Sequence, residues 1–251
     1  MELIELSNVA IAWIIAVIVG ATVISTVTGM AGGLLMFSGM GVYSPLQPLI
    51  ALHGTVQVFA NASRSWFLRG HLRWEMCLPF GFGAVLGAAA TTVFIARYIA
   101  ETIPLLLLLM LVGYTLLRPA HMPDLKIANR NFFWVGIATG SLGIIAGAVD
   151  PLLAAFFLRE DLAKEEVVVN KSFMQLLVHL TKIPAFIYLG FSFLDHWQYI
   201  LVFSLAGVVG TRLGVYLLHR IGHQLFFKLM RLALMLAGLR ILYQLVAPLW
   251  H

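Results

Sequence analysis

From Leu6 to Ser63 the chain runs 58 residues without one Asp, Glu, Lys or Arg. A single membrane span needs about 20 apolar residues, so this stretch alone holds at least two. Over all 251 residues, 61% are hydrophobic and 11% charged, against about 45–50% and about 25% in a soluble domain. A soluble fold of this length still leaves roughly a quarter of its unfolded surface exposed, too much to hide such a composition. The sequence therefore predicts an integral membrane protein.

Continuous apolar runs predict helices over Val9–Val27, Met30–Val42, Leu46–Leu68, Trp74–Ala96, Ile103–Leu117, Phe132–Leu158 with an interruption, Val167–Leu189, Trp197–Leu218 and Phe226–Leu249. They are much longer than a barrel strand of about 9–11 residues and lack its alternation. The expected fold is all-α and polytopic, with about eight helical segments in two homologous halves and glycine-rich helix breaks. Met30–Val42 is short enough to re-enter rather than cross, which leaves the number of crossings open. The acidic N-terminus, with Glu2 and Glu5, lacks the basic region of a signal peptide, so Val9–Val27 reads as a retained span. The single cysteine, Cys77, excludes an intrachain disulfide. A net charge of +5 is the ordinary basic excess of a membrane protein and does not call for nucleic acid.

The two sides of the sequence resemble each other. Gly29-Met30-Ala31-Gly32-Gly33 is matched 114 residues on by Gly143-Ile144-Ile145-Ala146-Gly147. Gln57, Asn61 and Arg64 are matched by Gln175, His179 and Lys182 at an offset of 118. Gly70 pairs with Gly190 at 120, and Trp74 with Trp197, Gly87 with Gly210 and Arg97 with Arg220 at 123. A rising offset is what small insertions between equivalent segments produce. Residues 1–118 therefore read as a first membrane repeat, 119–131 as a polar linker and 132–251 as a second repeat.

These residues also carry a resemblance. The order Gly29–Gly33, Asn61-Ala62-Ser63-Arg64 and Gly70-His71-Leu72-Arg73-Trp74, repeated through Gly143–Pro151 and Gly190–Trp197, resembles the sulfite exporter TauE/SafE family of membrane permeases. The likeness covers nearly the whole chain, although the family's Gly-x-Gly-Gly-Gly is Gly-x-Ala-Gly-Gly here. It implies export of sulfite or an organosulfur or organic anion, and a bacterial inner membrane as the location.

The residue types fit anion chemistry on their own terms. Glycine lets a helix break, and broken helices in transporters direct half-helix N-termini at anionic groups. The amides near Gly32, Gly33 and Leu34 are candidates, with Gly147 their equivalent; close helix packing is the rival explanation of these glycines. Gln57, Asn61 and Arg64 are spaced i, i+4, i+7 and share one helical face, as do Gln175, His179 and Lys182. Each face offers hydrogen-bonding groups near a cation, which replace lost hydration when an oxyanion enters a low dielectric. An intramembrane charge costs at least about 2.5–3.5 kcal/mol, so a functional reading is the default. The rival is that Arg64 and Lys182 snorkel to headgroups. His53 lies one turn before Gln57 and pairs with Lys171 at the offset of 118. Asp150 reads as a helix cap or, with His179, as a coupling group.

The spacing of His and Cys offers no metal site, and no P-loop or Gly-x-Ser-x-Gly segment is present, so neither cofactor nor enzyme activity is expected. Arg159-Glu160-Asp161 with Lys164-Glu165-Glu166 reads as a solvated loop. The expected partners are a small anion and the lipid bilayer. A homo-oligomer stays open, as does the alternative of a membrane scaffold or accessory subunit. With successive segments taken as full crossings, Lys and Arg divide nearly evenly between the two sides, which leaves orientation open.

Overall fold

The computed structural model describes residues 6–43, 46–95, 102–117, 127–145, 150–188 and 191–246. Among them are ten α-helices: α1 (Asn8–Thr28), α2 (Gly32–Met40), α3 (Leu46–Phe67), α4 (Trp74–Ala90), α5 (Thr102–Leu117), α6 (Phe132–Ile145), α7 (Asp150–Phe157), α8 (Lys164–Tyr188), α9 (Trp197–Arg220) and α10 (His223–Val246). The described residues contain no strand. Among the described residues, three helical stretches are long and apolar enough to cross a membrane: Asn8–Thr28, Trp74–Val93 and Trp197–Arg220. α3 and α8 have the length but fall outside that set, because polar side chains interrupt them.

Local chemistry explains the ends. Ser7 Oγ accepts the Ala10 N–H at 3.2 Å and caps α1. Gly29 closes that helix in the left-handed conformation, φ 71°. Ala31 also has φ 71°, a strained value for a residue with a Cβ. The two together turn the chain so sharply that α2 runs back along α1, with Gly32 beside Ser25 and Gly39 beside Val17.

The interruption expected in Phe132–Leu158 is present, and the segment is two helices, α6 and α7. Two other expectations need correction. The α4 segment ends at Ala90 and continues as a π turn over Thr91–Ile95. The charged run is only partly loop, since α8 begins at Lys164. Glu165 and Glu166 sit in its first turn, where carboxylates complement the helix dipole. Glu166 accepts the Ala163 N–H at 3.1 Å, while Lys164 Nζ donates to the carbonyls of Leu218 (2.7 Å) and Ile221 (2.5 Å) at the end of α9. Of the linker, only Ile127–Asn131 lie among the described residues, and Asn129–Asn131 form a 3₁₀ turn. Arg97, Gly147 and Gly190 lie outside them.

Glycines let helices touch backbone to backbone. A Cβ on Gly83 or Gly87 would strike the carbonyls of Phe133 and Ile137, and one on Gly136 or Gly140 those of Phe80 and Ala84. Both faces are small-xxx-small pairs, the pattern of close helix approach in membranes. Gly136→Ala is expected to destabilise the protein by about 1–3 kcal/mol, because rigid backbone cannot move aside. Gly113→Ala, whose added methyl meets nothing within 4 Å, should be neutral or stabilising by up to about 1 kcal/mol. Thermal unfolding in detergent compares them; coincident curves would refute the backbone contact.

The same contacts fix helix direction. Gly83 and Gly87 meet residues of α6 in the same order, so α4 and α6 run parallel. Asn170 meets Arg73 and Cys77, and Leu177 meets Gly81, so α8 runs with α4. Gly210 meets Thr22 and Gly214 meets Thr26, so α9 runs with α1. Thr211 beside Ala60 and Arg212 over Phe67 place α3 in that direction too. α3 and α8 cross antiparallel, with Arg64 against Ser172 at one end and His53 near His179 at the other.

Two apolar cores flank this crossing. One contains Ile14, Ile18, Met36, Leu52 and Phe203; the other contains Phe80, Phe132, Phe157, Met174 and Phe226. The outer surface is apolar as well, with Phe82, Val85, Leu201, Leu205, Leu236 and Leu239 all exposed. Polar groups are thus concentrated inside a hydrocarbon shell, the inverse of a soluble protein.

Candidate functional site

The polar stripes of α3 and α8 face each other. Gln57, Asn61, Arg64, Gln175, His179 and Lys182 are all buried in protein, with exposures between 1% and 7%. Neither Arg64 nor Lys182 reaches the surface in the manner of a snorkelling cation. Gln57 and Gln175 lie near the midpoints of their helices, so the crossing sits halfway through the molecule's thickness.

Arg64 occupies one end of the seam. Its Nε donates to Thr26 Oγ1 at 2.9 Å, and Nη1 to Asn61 Oδ1 at 3.2 Å and Ser172 Oγ at 3.1 Å. These partners are neutral, so the guanidinium charge is held in place without being cancelled. Asn61 Nδ2 then donates to Gln57 Oε1 at 3.2 Å. The chain of contacts continues from Gln57 to His53 (3.4 Å), and His53 Nε2 meets the Gly33 carbonyl at 3.0 Å.

The middle of the seam is built around Asp150, the first residue of α7. One carboxylate oxygen accepts from Lys171 Nζ and from Gln175 Nε2, the latter at 2.8 Å. The other accepts the Ala31 N–H at 2.9 Å. Lys171 Nζ also donates to the Gly29 carbonyl. Both helix breaks therefore meet at this carboxylate: Ala31 comes from the α1–α2 turn and Asp150 opens α7.

The opposite end differs. His53 and His179 stack edge to face, with ring centroids 6.0 Å apart, and Lys182 lies close enough to act electrostatically on both. His179 Nδ1 is buried and has no hydrogen-bond partner among the described residues. Among the described residues, Lys182 has neither an ion pair nor a hydrogen bond and is only 4% exposed. Among the described residues, the ammonium thus lacks a protein partner and the ring nitrogen is buried unmet.

The structure brings Gly33 into the seam, where a Cβ would come 3.1 Å from Gln57 Nε2. Gly32 instead serves close packing, since a Cβ there would collide with Ser25 and the Ala21 carbonyl. The engaged amide at the break is that of Ala31. Lys171, Ser172 and Thr26 join the site in addition to the residues expected from the sequence. Lys171 carried a usable signal, lying one turn before Gln175 on the same face; Thr26 and Ser172 carried none.

An apolar exterior around a central, cation-rich polar seam is the build of a membrane permease. The chain belongs to the sulfite exporter TauE/SafE family, whose model, described as "Sulfite exporter TauE/SafE", matches residues 14–241. No curated protein and no solved structure matches it. In the family pattern Ala31 replaces a glycine, at the position where φ is 71°.

Proposed function

We propose that the protein is a multi-pass permease of the bacterial inner membrane that moves sulfite or a small organosulfur or organic anion through the α3–α8 seam. One observation carries the reading: among the described residues, three buried cations, Arg64, Lys171 and Lys182, share the seam with a single carboxylate, Asp150. Desolvating an unpaired charge costs several kcal/mol, so a site built this way favours a mobile anion. Lys182, His179 and His53 form the subsite with capacity to spare, Arg64 with Asn61 and Gln57 a second, and Gln175, Gly33 and the Ala31 amide lie between. Asp150 holds Lys171 and, with His179, is the candidate coupling group. Gly32 supports the site through the close packing that holds α2 against α1.

We read the two halves as inverted repeats. In support, α2 and α7 start at Gly32 and Asp150, and α3 and α8 at Leu46 and Lys164, both pairs separated by 118 residues. α1 packs on α9 as α6 packs on α4, and the first-half helices run opposite to their counterparts. Inverted repeats with a midplane site between broken helices suit alternating access.

An inside-negative potential favours anion exit by about 2.3 kcal/mol per charge per 100 mV, so export needs no coupled ion. Sulfite flux from proteoliposomes should rise with an imposed inside-negative potential. Flux no greater than in protein-free vesicles overturns the permease reading, and flux indifferent to both potential and pH gradient overturns the electrogenic one.

A further inference from the structure

The distribution of basic side chains over the folded surface gives the orientation of the chain. The sequence has 16 Lys and Arg. Arg64, Lys171 and Lys182 lie in the seam, and Arg97, Arg118 and Lys126 outside the described residues. Of the remaining ten, nine gather toward one end of the helices. Arg69 and Arg73 are in the α3–α4 turn, Arg130 precedes α6, and Arg159 and Lys164 precede and open α8. Arg212 and Arg220 lie toward the end of α9, and Lys228 and Arg231 in the first turns of α10.

Contacts tie these segments to one face. Arg73 pairs with Glu166 at 2.7 Å, Asn129 bonds Glu75 at 3.5 Å, and Lys164 caps the end of α9. His223 meets the Glu160 carbonyl at 3.1 Å. The tenth, Arg240, lies at the other end, bonded to Ser38 of α2 at 3.0 Å.

Aromatic residues mark both rims. Exposed Trp66, Trp134 and Tyr216 lie on the basic side, where the guanidinium of Arg69 sits over Trp66 and that of Arg220 over Tyr216. Exposed Trp197 opens α9 on the other. At 1.5 Å per residue, Trp197 and Tyr216 are about 28 Å apart along α9, close to the hydrocarbon thickness of a bilayer. Trp and Tyr concentrate at those two boundaries.

We infer that the basic face lies on the cytoplasmic leaflet, against its anionic headgroups, so that α1 begins and α10 ends on the outer side. Basic residues flanking spans stay on the cytoplasmic side, where the anionic leaflet attracts them. The inference stands independently of the transport reading. With that reading, it places Arg64 in the cytoplasmic half of the route and the Lys182–His179–His53 group in the outer half, so an exported anion meets Arg64 first.

Single cysteines test the assignment, two on each face at exposed positions: Val42→Cys and Leu194→Cys on the outer side, Ala128→Cys and Gly222→Cys on the basic side. The parent chain, whose only thiol, Cys77, is buried, sets the background. In spheroplasts treated with a membrane-impermeant maleimide, the first pair should react before lysis and the second only after it. The reverse pattern, or reaction of all four before lysis, overturns the orientation.

Discussion

Replacing Lys182 with methionine is expected to make the ligand-free protein more stable and, at the same time, to remove its response to anions. Lys182 is buried without a partner among the described residues. Methionine matches its length and needs no solvation, and replacing buried charge by well-packed apolar groups typically stabilises by 1–4 kcal/mol; a gain of about 2 kcal/mol is expected. An ion-binding lysine contributes about 2 kcal/mol or more to its ligand, so anion affinity should fall at least about 30-fold. A thermal-shift series with sulfite, sulfate, sulfonates and carboxylates measures both quantities, because a ligand stabilises the fold by RT ln(1 + [L]/Kd). A variant that is less stable and keeps the parent's ligand shifts would mean that Lys182 serves structure alone.

Asp150→Asn should be the most damaging single change in the seam. It leaves Lys171 as an uncompensated buried charge, and breaking a buried pair from one side costs about 3–5 kcal/mol. The double variant Asp150→Asn/Lys171→Met removes both charges and should recover most of the loss, with a coupling energy toward the top of the roughly 0.5–3 kcal/mol range for contacting residues. Chemical or thermal unfolding of the four proteins in detergent gives the cycle. Simple addition of the two single effects would show that Asp150 and Lys171 do not depend on each other. Asparagine keeps one acceptor oxygen, so only one of the Ala31 N–H and Gln175 Nε2, which use different carboxylate oxygens, retains its bond; that loss is shared by the single and double variants, and the coupling energy reports the charge pair.

Much of the candidate site was legible because lipid penalises polarity. Gln57, Asn61 and Arg64, with Gln175, His179 and Lys182, stood out as one-face triplets in apolar helices, and the helical period alone sets them on a face. Lys171 could have been added by the same rule. Asp150 was visible as an isolated carboxylate, but its partners were not. Lys171 is 21 residues away and Ala31 is 119. No local pattern connects an amide in the α1–α2 break to the first residue of α7. Gly32 shows the opposite limit: a glycine for a break and a glycine for close packing look the same until the neighbouring backbone is known.

Orientation turned on one helix boundary. Read as a single crossing, Phe132–Leu158 sends the chain to the far side and splits the basic residues evenly. In the structure α7 is a separate helix of eight residues, about 12 Å long, far short of a span. The chain returns to the face where α6 began, and the basic loops before and after it in the sequence fall together.

The sequence by itself determined that this chain is helical, built for a membrane, and polar on two matching helix faces, because composition and periodicity are local and lipid tolerates little else. Only the tertiary structure decided which charges meet, that Asp150 joins both helix breaks, and that Lys182 has no ion pair among the described residues. Those outcomes depend on which helices pack and in which direction, and glycine contacts between segments far apart in the chain set both.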